Sequence, residues 1–444
     1  MSRLGRSFAY LWSSTALSNL ADGVLKIGAP LLAVSMTRSP TLISLVAAAT
    51  TLPWLLLALH AGAVADRADR RRIMVRANLV RAVILAGVTL LAVLGLLNLW
   101  LLLAAVLLAG VSEVFADLSA QSVLPMTVPR DALTKANGRV SSAQMIGNDF
   151  VGAPVAGLLV AALPAVVFGA PALLYAAAGL LLLGMRGAYR AEGGAGTGAV
   201  GEAATKAGAE RPEARTERAE GGVEARRPMR ADIAEALRFL WSHRVLRGLA
   251  ITAGLLNLAN SAYFAVFVLW AVGDGSEIGL EPAGYGLMTT AFAAGAVVGS
   301  LLSERAAGVF GEFRTLVGCW LVTSLLLLVP VIIPSPWTLY PTAVLWGVVG
   351  AGGNVLVISA RQRLIPAKLL GRVNSAYRLV GMGGMPLGAA AGGVVAEFAG
   401  LGAVLVGATG VCLVGVGLVR RALSDQISGP LTSTAALSDM SGSR

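Results

Sequence analysis

Five ionisable side chains lie inside long apolar stretches, where an ionised group is costly and therefore marks a candidate functional site. Asp22 and Lys26 stand four residues apart in "LADGVLKIGAP", so they share a helix face and can form an ion pair. Glu113 and Asp117 have the same spacing, and two carboxylates this close repel when both are ionised, which favours retention of a proton. Asp149 stands in a further apolar stretch. The four acids are predicted proton-coupling sites, with Asp22 first.

Each of these groups also has a purely structural interpretation. Asp22 and Lys26 can neutralise each other and only fix helix packing. Asp117 can be solvated near a helix end, and Asp149 can make a packing hydrogen bond. Asn19 lies one helical turn before Asp22, which gives a polar strip that is expected to face a cavity.

The elements that must position these groups are membrane-spanning helices. Hydrophobic residues make up 56% of the 444 residues and charged ones 13%, whereas soluble domains carry about 25% charged residues. Mean hydropathy is +0.75. The net charge of +11 does not indicate nucleic acid, because the basic residues sit in short loops between apolar segments. The composition predicts a lipid bilayer as the main partner and an all-α membrane protein.

A bilayer core needs about 20 apolar residues per helix, and twelve such segments are predicted. They cover residues 11–36, 41–65, 73–97, 99–124, 140–163, 165–185, 246–272, 282–303, 315–333, 337–364, 373–396 and 399–419. The predicted organisation is a six-helix bundle over 1–186, a linker over 187–243, a second six-helix bundle over 244–422 and a disordered tail over 423–444. The turns between segments three and four, five and six, and eleven and twelve are expected to be tight.

Orientation follows from the distribution of positive charge. The basic loops and both termini fall on one side, and the opposite loops carry Arg38 and the acidic stretch "GDGSEIGLEP". Because positive loops stay inside, we expect a bacterial cytoplasmic-membrane protein with both termini in the cytoplasm. The end of the linker, "ADIAEALRFLWSHRVLRGL", predicts either an amphipathic surface helix or an extension of the seventh segment.

The two halves of the chain resemble each other. "LSNLADG" in the first segment matches "LLNLANS" in the seventh, so that Asn19 aligns with Asn257 and Asp22 with Asn260. "GRVSSA" before the fifth segment matches "GRVNSA" at the start of the eleventh. Two parallel repeats of this kind form a central cavity and support alternating access.

This organisation, together with "GAVADRADRRR" between the second and third segments, resembles the major facilitator superfamily. The family pattern in that loop is Gly-x-x-x-Asp-Arg-x-Gly-Arg-Arg/Lys. The matching residues are Gly62, Asp66, Arg67, Arg70 and Arg71, and Asp69 replaces the second glycine. The stretches "LADGVLKIGAPLLA" and "RLVGMGGMPLGAAAGG" are similar to the bacterial efflux branch that includes macrolide and enterobactin exporters.

The resemblance implies a role for the basic loop. In the family it latches the halves together when the cavity opens to the outside. By this resemblance Asp66 is the latch near the positive end of the eleventh helix, the loop arginines assist, and Arg378 is its partner. The alternative is a basic loop that only enforces orientation.

Aromatic and polar side chains of the later segments are candidates for the cavity wall. They are Asn257, Asn260, Tyr263, Phe267, Trp346 and Tyr377, with Asn19 and Lys26 from the first segment. An apolar pocket with a few polar groups suits a lipophilic organic molecule, although a single aromatic in a membrane helix often faces lipid or a neighbouring helix. "GNDFVGAPVAGLL" in the fifth segment loosely resembles the glycine-proline signature of antiporters, and a tightly packed helix explains it equally well.

The sequence excludes several other classes. It contains no phosphate-cradling Gly-x-x-x-x-Gly-Lys-Ser/Thr loop, and its two histidines do not suggest a metal site. We therefore expect no enzyme activity, no cofactor, no metal and no nucleic-acid partner, and we expect a monomer. The predicted function is export of a hydrophobic or amphiphilic small molecule, drug-like, macrolide-like or siderophore-like, by proton antiport. A nutrient importer of the same fold and a non-transporting structural or lipid-handling protein are the alternatives.

Overall fold

The computed structural model describes residues 5–129, 132–185, 187, 189, 229–365 and 370–422, and this part of the chain is almost entirely helical. It contains twelve helical stretches long and apolar enough to cross a membrane, the number predicted. The helices are α1 (Gly5–Met36), α2 (Pro40–Arg67), α3 (Arg70–Val93), α4 (Leu99–Thr127), α5 (Leu133–Met145), α6 (Ala153–Ala162), α7 (Gly169–Leu183), α8 (Met229–Ser242), α9 (Arg244–Ala271), α10 (Pro282–Phe310), α11 (Glu312–Leu326), α12 (Val329–Ile332), α13 (Pro336–Leu364), α14 (Leu370–Met382), α15 (Gly384–Ala399) and α16 (Leu401–Ala422). Most of the predicted linker and the whole predicted tail, 423–444, lie outside the described residues.

Helix starts and turns follow local residue chemistry. The side chains of Ser39 and Asn98 accept hydrogen bonds from backbone N–H groups in the first turns of α2 and α4. Gly311 and Gly400 adopt φ of +84° and +85° in the one-residue turns after α10 and α15, a conformation that favours glycine. These turns allow adjacent spans to run antiparallel with little connecting chain.

The fifth span is not a continuous α-helix. Residues Ile146–Gly152 form a π-helical segment that joins α5 to α6, and it is packed against α1. A Cβ added to Gly23 of α1 would lie 2.5 Å from the carbonyl oxygen of Asn148, and one added to Gly147 would lie 2.9 Å from the backbone nitrogen of Leu20. Only helices with small residues at the crossing can approach this closely.

The twelve spans form two pseudo-symmetric halves, and two helix pairs make the most extensive contacts between them. α2 of the first half packs on α15 of the second, and α6 packs on α10. A Cβ on Gly157 would lie 2.5 Å from the carbonyl oxygen of Pro282, and one on Gly286 would lie 2.6 Å from that of Ala153. Within the predicted antiporter-like stretch, the residues from Ala153 to Gly157 therefore contact the second half, while Gly147 packs on α1 of its own half.

α8 is a helix of its own, separate from α9. His243 lies between the two helices, and its φ of −89° and ψ of 110° are not helical. Its side chain accepts a hydrogen bond from the backbone N–H of Leu246. Leu240 is fully buried while Arg238 is exposed, and α8 packs on α14. The stretch is thus not an extension of the seventh span, and its position on the membrane surface stays a prediction.

Candidate functional site

The first half holds a buried ion pair between α1 and α3. Nη1 of Arg81 lies 2.6 Å from Oδ1 of Asp22, and the two side chains are 1% and 14% exposed. Nη2 of Arg81 donates to Oδ1 of Asn78 at 3.2 Å, and Ser18 donates to the same oxygen. A charged pair at this depth requires such compensation, because each desolvated charge is expensive.

Tyr175 of α7 completes the pair from the other side. Its hydroxyl donates a hydrogen bond to Oδ1 of Asp22, and its ring lies under the guanidinium of Arg81, with 4.1 Å between the guanidinium carbon and the ring centroid. The cation–π contact and the hydrogen bond tie three helices together. Tyr175 is fully buried, so its hydroxyl contacts the carboxylate and not solvent.

Two further acids of α4 lie beside this pair. Glu113 interacts electrostatically with Asp22, Asp117 and Arg81, and Asp117 interacts with Asp22 and Arg81. Both α4 side chains are partly buried. Three carboxylates therefore interact electrostatically with one buried arginine, and the cluster carries surplus negative charge when all three are ionised. The structure brings together three of the four predicted proton-coupling residues.

Asp22 is paired with Arg81 and not with Lys26, the partner that the four-residue spacing suggested. The Lys26 side chain is exposed and reaches Glu113 and Asp149 only through electrostatic interactions. The pairing across helices forms because α3 places the Arg81 guanidinium next to Asp22, where it is buried and also hydrogen-bonded to Asn78. Asp149 is exposed on the π-helical segment, away from the ion pair.

A cavity of about 450 Å³ adjoins the cluster between α1, α4 and α5. Its polar lining comprises Thr15, Asn19, Asp117, Gln121, Asn137, Ser141 and Gln144, and its apolar lining Leu11, Ala120, Leu124 and Val140. Asn19 donates to the carbonyl of Thr15 at 2.7 Å and lies 3.5 Å from Nδ2 of Asn148. Asn19 thus lines a cavity within the first half, and its place in the wall of a central cavity stays a prediction.

The aromatic candidates of the second half are packed in its interior. Tyr263 and Phe267 are 0% and 1% exposed, with ring centroids 5.3 Å apart, and the Tyr263 hydroxyl donates to the carbonyl of Leu327 at 2.9 Å. Tyr377 is 6% exposed and donates to the carbonyl of Leu249. The prediction that these three rings line the cavity was wrong for this conformation, because each ring is covered by neighbouring helices.

The remaining candidates of the second half are less enclosed. Trp346 is partly buried and stacks on Phe264 with 4.6 Å between centroids. Asn257 donates to the carbonyl of Gly381 at 2.9 Å. Oδ1 of Asn260 is buried without a hydrogen-bond partner among the described residues. α9 therefore presents an acceptor that is free in this state at the position that aligns with Asp22.

The basic loop anchors helices of its own half. Nε and Nη2 of Arg71 donate to the carbonyls of Leu182 and Leu183 at 2.8 and 2.6 Å, which caps the end of α7. Arg70 donates to the carbonyl of Ser122 on α4 at 3.3 Å. Asp69 accepts from the backbone N–H groups of two following residues and begins α3. The departure from the family pattern at Asp69 is thus a helix cap.

The structure does not describe the side chains of the two central residues of the predicted latch, Asp66 and Arg67. Gly62 has open space around its Cα, and Arg378 is exposed on α14. The latch stays a prediction.

At the opposite end of the molecule, hydrogen bonds connect the halves. Arg38 donates to the carbonyls of Val272 and Asp274 at 3.2 and 3.1 Å. Glu397 accepts from the Ser39 hydroxyl at 2.9 Å and from the backbone N–H of Thr41 at 3.3 Å. We call Arg38, Ser39, Thr41 and Glu397 the acidic-end clamp. It closes the end that carries the acidic loop.

Arg81, Tyr175 and Arg38 are functional candidates that were not predicted from the sequence, in which Arg38 was noted only as a charge in a loop. Arg81 has a signal in the sequence, since it stands about two turns inside the third apolar segment, where a charge is costly. Tyr175 gives no such signal, because a tyrosine in an apolar helix is unremarkable until its neighbour is known. No group of His, Cys, Asp and Glu within the described ranges is placed to hold a metal ion.

Two pseudo-symmetric halves of six spanning helices are the architecture of major facilitator transporters, and solved structures of that kind share it. A point mutant of the nucleoside transporter NupG superposes with a TM-score of 0.70 at 12% identity, covering 94% of this chain and 100% of that one. A bacterial homologue of the iron transporter ferroportin in an inward-facing state gives 0.67 at 15% identity, covering 94% and 99%. At these identities the likeness concerns the fold alone.

The chain belongs to the family described as transmembrane secretion effectors, which it matches over residues 4–193 and 215–434. It is a multi-pass membrane transporter of the major facilitator superfamily and not an enzyme. Macrolide efflux protein A of Streptococcus pyogenes is 24% identical over 139 residues, 31% of this chain and 34% of that protein. The match thus spans about a third of the length of that relative.

Proposed function

We propose that the protein exports a hydrophobic or amphiphilic small molecule from the cytoplasm in exchange for protons, by alternating access of one central pathway. The observation that carries the proposal is the cluster of Asp22, Glu113 and Asp117 around Arg81. One buried arginine compensates one carboxylate, so further ionisation leaves uncompensated charge at membrane depth. Binding a proton or a cation removes that charge.

Coupling follows if the cluster changes its proton occupancy as the halves move. Arg81 and Asp22 belong to α3 and α1, and the two remaining acids belong to α4. A shift of α4 relative to α1 alters which carboxylate the arginine compensates, and with it which one retains a proton. Because removing a partner from a buried pair is costly, the conformational state and the proton state are linked.

Direction and orientation belong to the same proposal. The basic loops, which include Arg70 and Arg71, would face the cytoplasm together with both termini. The cavity lies beside Asn137 and Gln121, toward this basic end, while the acidic-end clamp closes the other. This arrangement suits collection of substrate from the cytoplasm. Support for export comes from the secretion-effector family and from the resemblance to a macrolide efflux protein.

The experiment is transport into inverted membrane vesicles with an imposed pH gradient, acidic inside, using labelled macrolides, siderophores and cationic dyes. We expect accumulation that stops when an ionophore collapses the gradient. Uptake indifferent to the gradient would overturn antiport. Accumulation in right-side-out vesicles instead would support the nutrient importer, and no movement of any compound would favour a non-transporting role.

Two variants localise the coupling site. Asp22→Asn is expected to abolish the dependence on the gradient, and the matched Glu277→Gln, an exposed acid in the acidic loop, is expected to retain it. Unchanged coupling in Asp22→Asn excludes Asp22 as the essential proton carrier. Cysteine labelling at position 217 tests the orientation, because labelling from outside intact cells would contradict a cytoplasmic linker.

A further inference from the structure

The pocket between α1, α4 and α5 differs from a cavity shared between two halves, because all its walls come from the first half. Its volume of about 450 Å³ lies within the range of drug-sized ligand sites, roughly 300–1,000 Å³. Leu11, Leu124 and Val140 give it an apolar surface, and amide and hydroxyl groups supply donors and acceptors. It therefore has the composition of a site for an amphiphilic organic molecule.

One side chain determines whether the pocket carries positive or negative charge. Asp117 is the ionisable residue among the described residues that line it. The nearby Arg81 contacts Asp22, Asn78 and the Tyr175 ring and is not among the residues that line the pocket. The surplus negative charge of the cluster extends to the pocket wall through Asp117, which repels an anion and attracts a cation.

We propose that this pocket binds an amphiphilic amine, with the protonated nitrogen against the Asp117 carboxylate and the apolar body against α1 and α5. The inference rests on the proposed function and narrows its substrate class: it favours amine-bearing compounds over acidic, siderophore-like ones. Gln121, Asn137 and Gln144 offer hydrogen bonds to hydroxyl or carbonyl groups of the ligand. A cationic head and an oxygen-rich, partly apolar body are thus the features that the pocket selects.

The first test is equilibrium binding to the purified protein in detergent, followed by dansyl fluorescence. Three probes share one body and differ in charge: dansylcadaverine with a free amine, its N-acetylated derivative, and dansyl-6-aminohexanoic acid. We expect the amine to bind about tenfold more tightly than the acetylated probe, since a tenfold ratio corresponds to about 1.4 kcal/mol. The carboxylate probe is expected to bind most weakly. Equal affinities, or preference for the carboxylate, overturn the proposal.

Variants then assign the preference to this pocket. Asp117→Asn is expected to lower amine affinity to that of the acetylated probe without changing the latter, whereas Glu304→Gln, an exposed acid outside the pocket, changes neither. Ser141→Trp fills the cavity and should weaken both probes, while Lys135→Trp, exposed on the same helix, should not. Retained amine preference in Asp117→Asn, or unaltered binding in Ser141→Trp, refutes the site.

The binding result is separable from the transport result. No gradient is present in detergent, so amine selectivity can hold even if export by antiport fails in vesicles. Conversely, gradient-driven export of acidic compounds only would leave the proposed function standing and refute this pocket. Should Asp117→Asn not fold, the probe series on the wild-type protein and the Ser141→Trp pair still decide the question.

Discussion

The guanidinium of Arg81 and the carboxylate of Asp22 form a buried ion pair inside the first half, at 2.6 Å between Nη1 and Oδ1. The pair connects α3 to α1, and Tyr175 adds α7 to the same contact. A buried charge pair contributes little to the stability of the fold by itself, since well-packed apolar residues in the same place stabilise it equally well. We therefore take the pair as a candidate for function and not only for stability.

Breaking this pair one residue at a time is expected to be worse than removing both charges. Arg81→Gln leaves the Asp22 carboxylate uncompensated, a cost of about 3–5 kcal/mol for a buried pair. The double variant Asp22→Asn with Arg81→Gln removes both charges and should recover most of the thermal stability, yet not gradient-driven transport. Thermal unfolding in detergent and vesicle transport measure the two effects. A double variant less stable than Arg81→Gln would contradict this account of the pair.

Weakening the acidic-end clamp is expected to favour opening of that end. Arg38→Gln loses hydrogen bonds to the carbonyls of Val272 and Asp274, each worth about 0.5–1.5 kcal/mol. The population open at the acidic end should rise by roughly threefold or more. Distances between spin labels on α2 and α15 report it. Arg76→Gln, at an exposed arginine on α3, is the control. An equal change in both variants would show that the acidic-end clamp does not control this opening.

Adding one methyl group at the crossing of α6 and α10 is expected to force the halves apart. Gly157→Ala places a Cβ where the Pro282 carbonyl oxygen lies 2.5 Å away, and such overpacking costs about 1–3 kcal/mol. Gly87→Ala makes the same change where nothing lies within 4 Å. Thermal unfolding and labelling of an acidic-end cysteine should change in the first variant alone. Similar behaviour of the two would show that the crossing tolerates a larger residue.

Arg71 is expected to matter through its geometry as well as its charge. Arg71→Lys keeps the positive charge but loses the fork that binds the carbonyls of Leu182 and Leu183. Its melting temperature should fall by a few degrees, about 2–4 °C per kcal/mol in proteins of 150–250 residues. Arg72→Lys, at an exposed side chain 3.8 Å from Asp69, should melt like the wild type. A stable Arg71→Lys would mean that charge alone suffices.

The sequence predicts the twelve spans, the tight turn between α15 and α16 and the pairing of Glu113 with Asp117, because hydropathy and spacing along one helix determine them. It does not predict that Asp22 selects Arg81 over Lys26, since that choice depends on how α1 and α3 pack. The same limit explains Tyr263: an aromatic residue carries no mark of whether it faces a cavity or a neighbouring helix. Contacts within one helix can be predicted from the spacing of residues along the sequence. Contacts between helices can be identified only once the three-dimensional structure is known.

The π-helical segment has a mechanical consequence for the fifth span. Its residues have the i→i+5 backbone hydrogen bonding of a π-helix. It lies between α5, which borders the cavity, and α6, which packs on α10. Rewinding these residues as an α-helix with none removed would rotate α6 by about 100° about its axis, the angle of one α-helical residue, and Gly157 would turn away from Pro282. The angular phase between the cavity wall and the seam of the two halves is therefore set by seven residues, Ile146–Gly152, so a change that rewinds this segment as an α-helix should displace the seam.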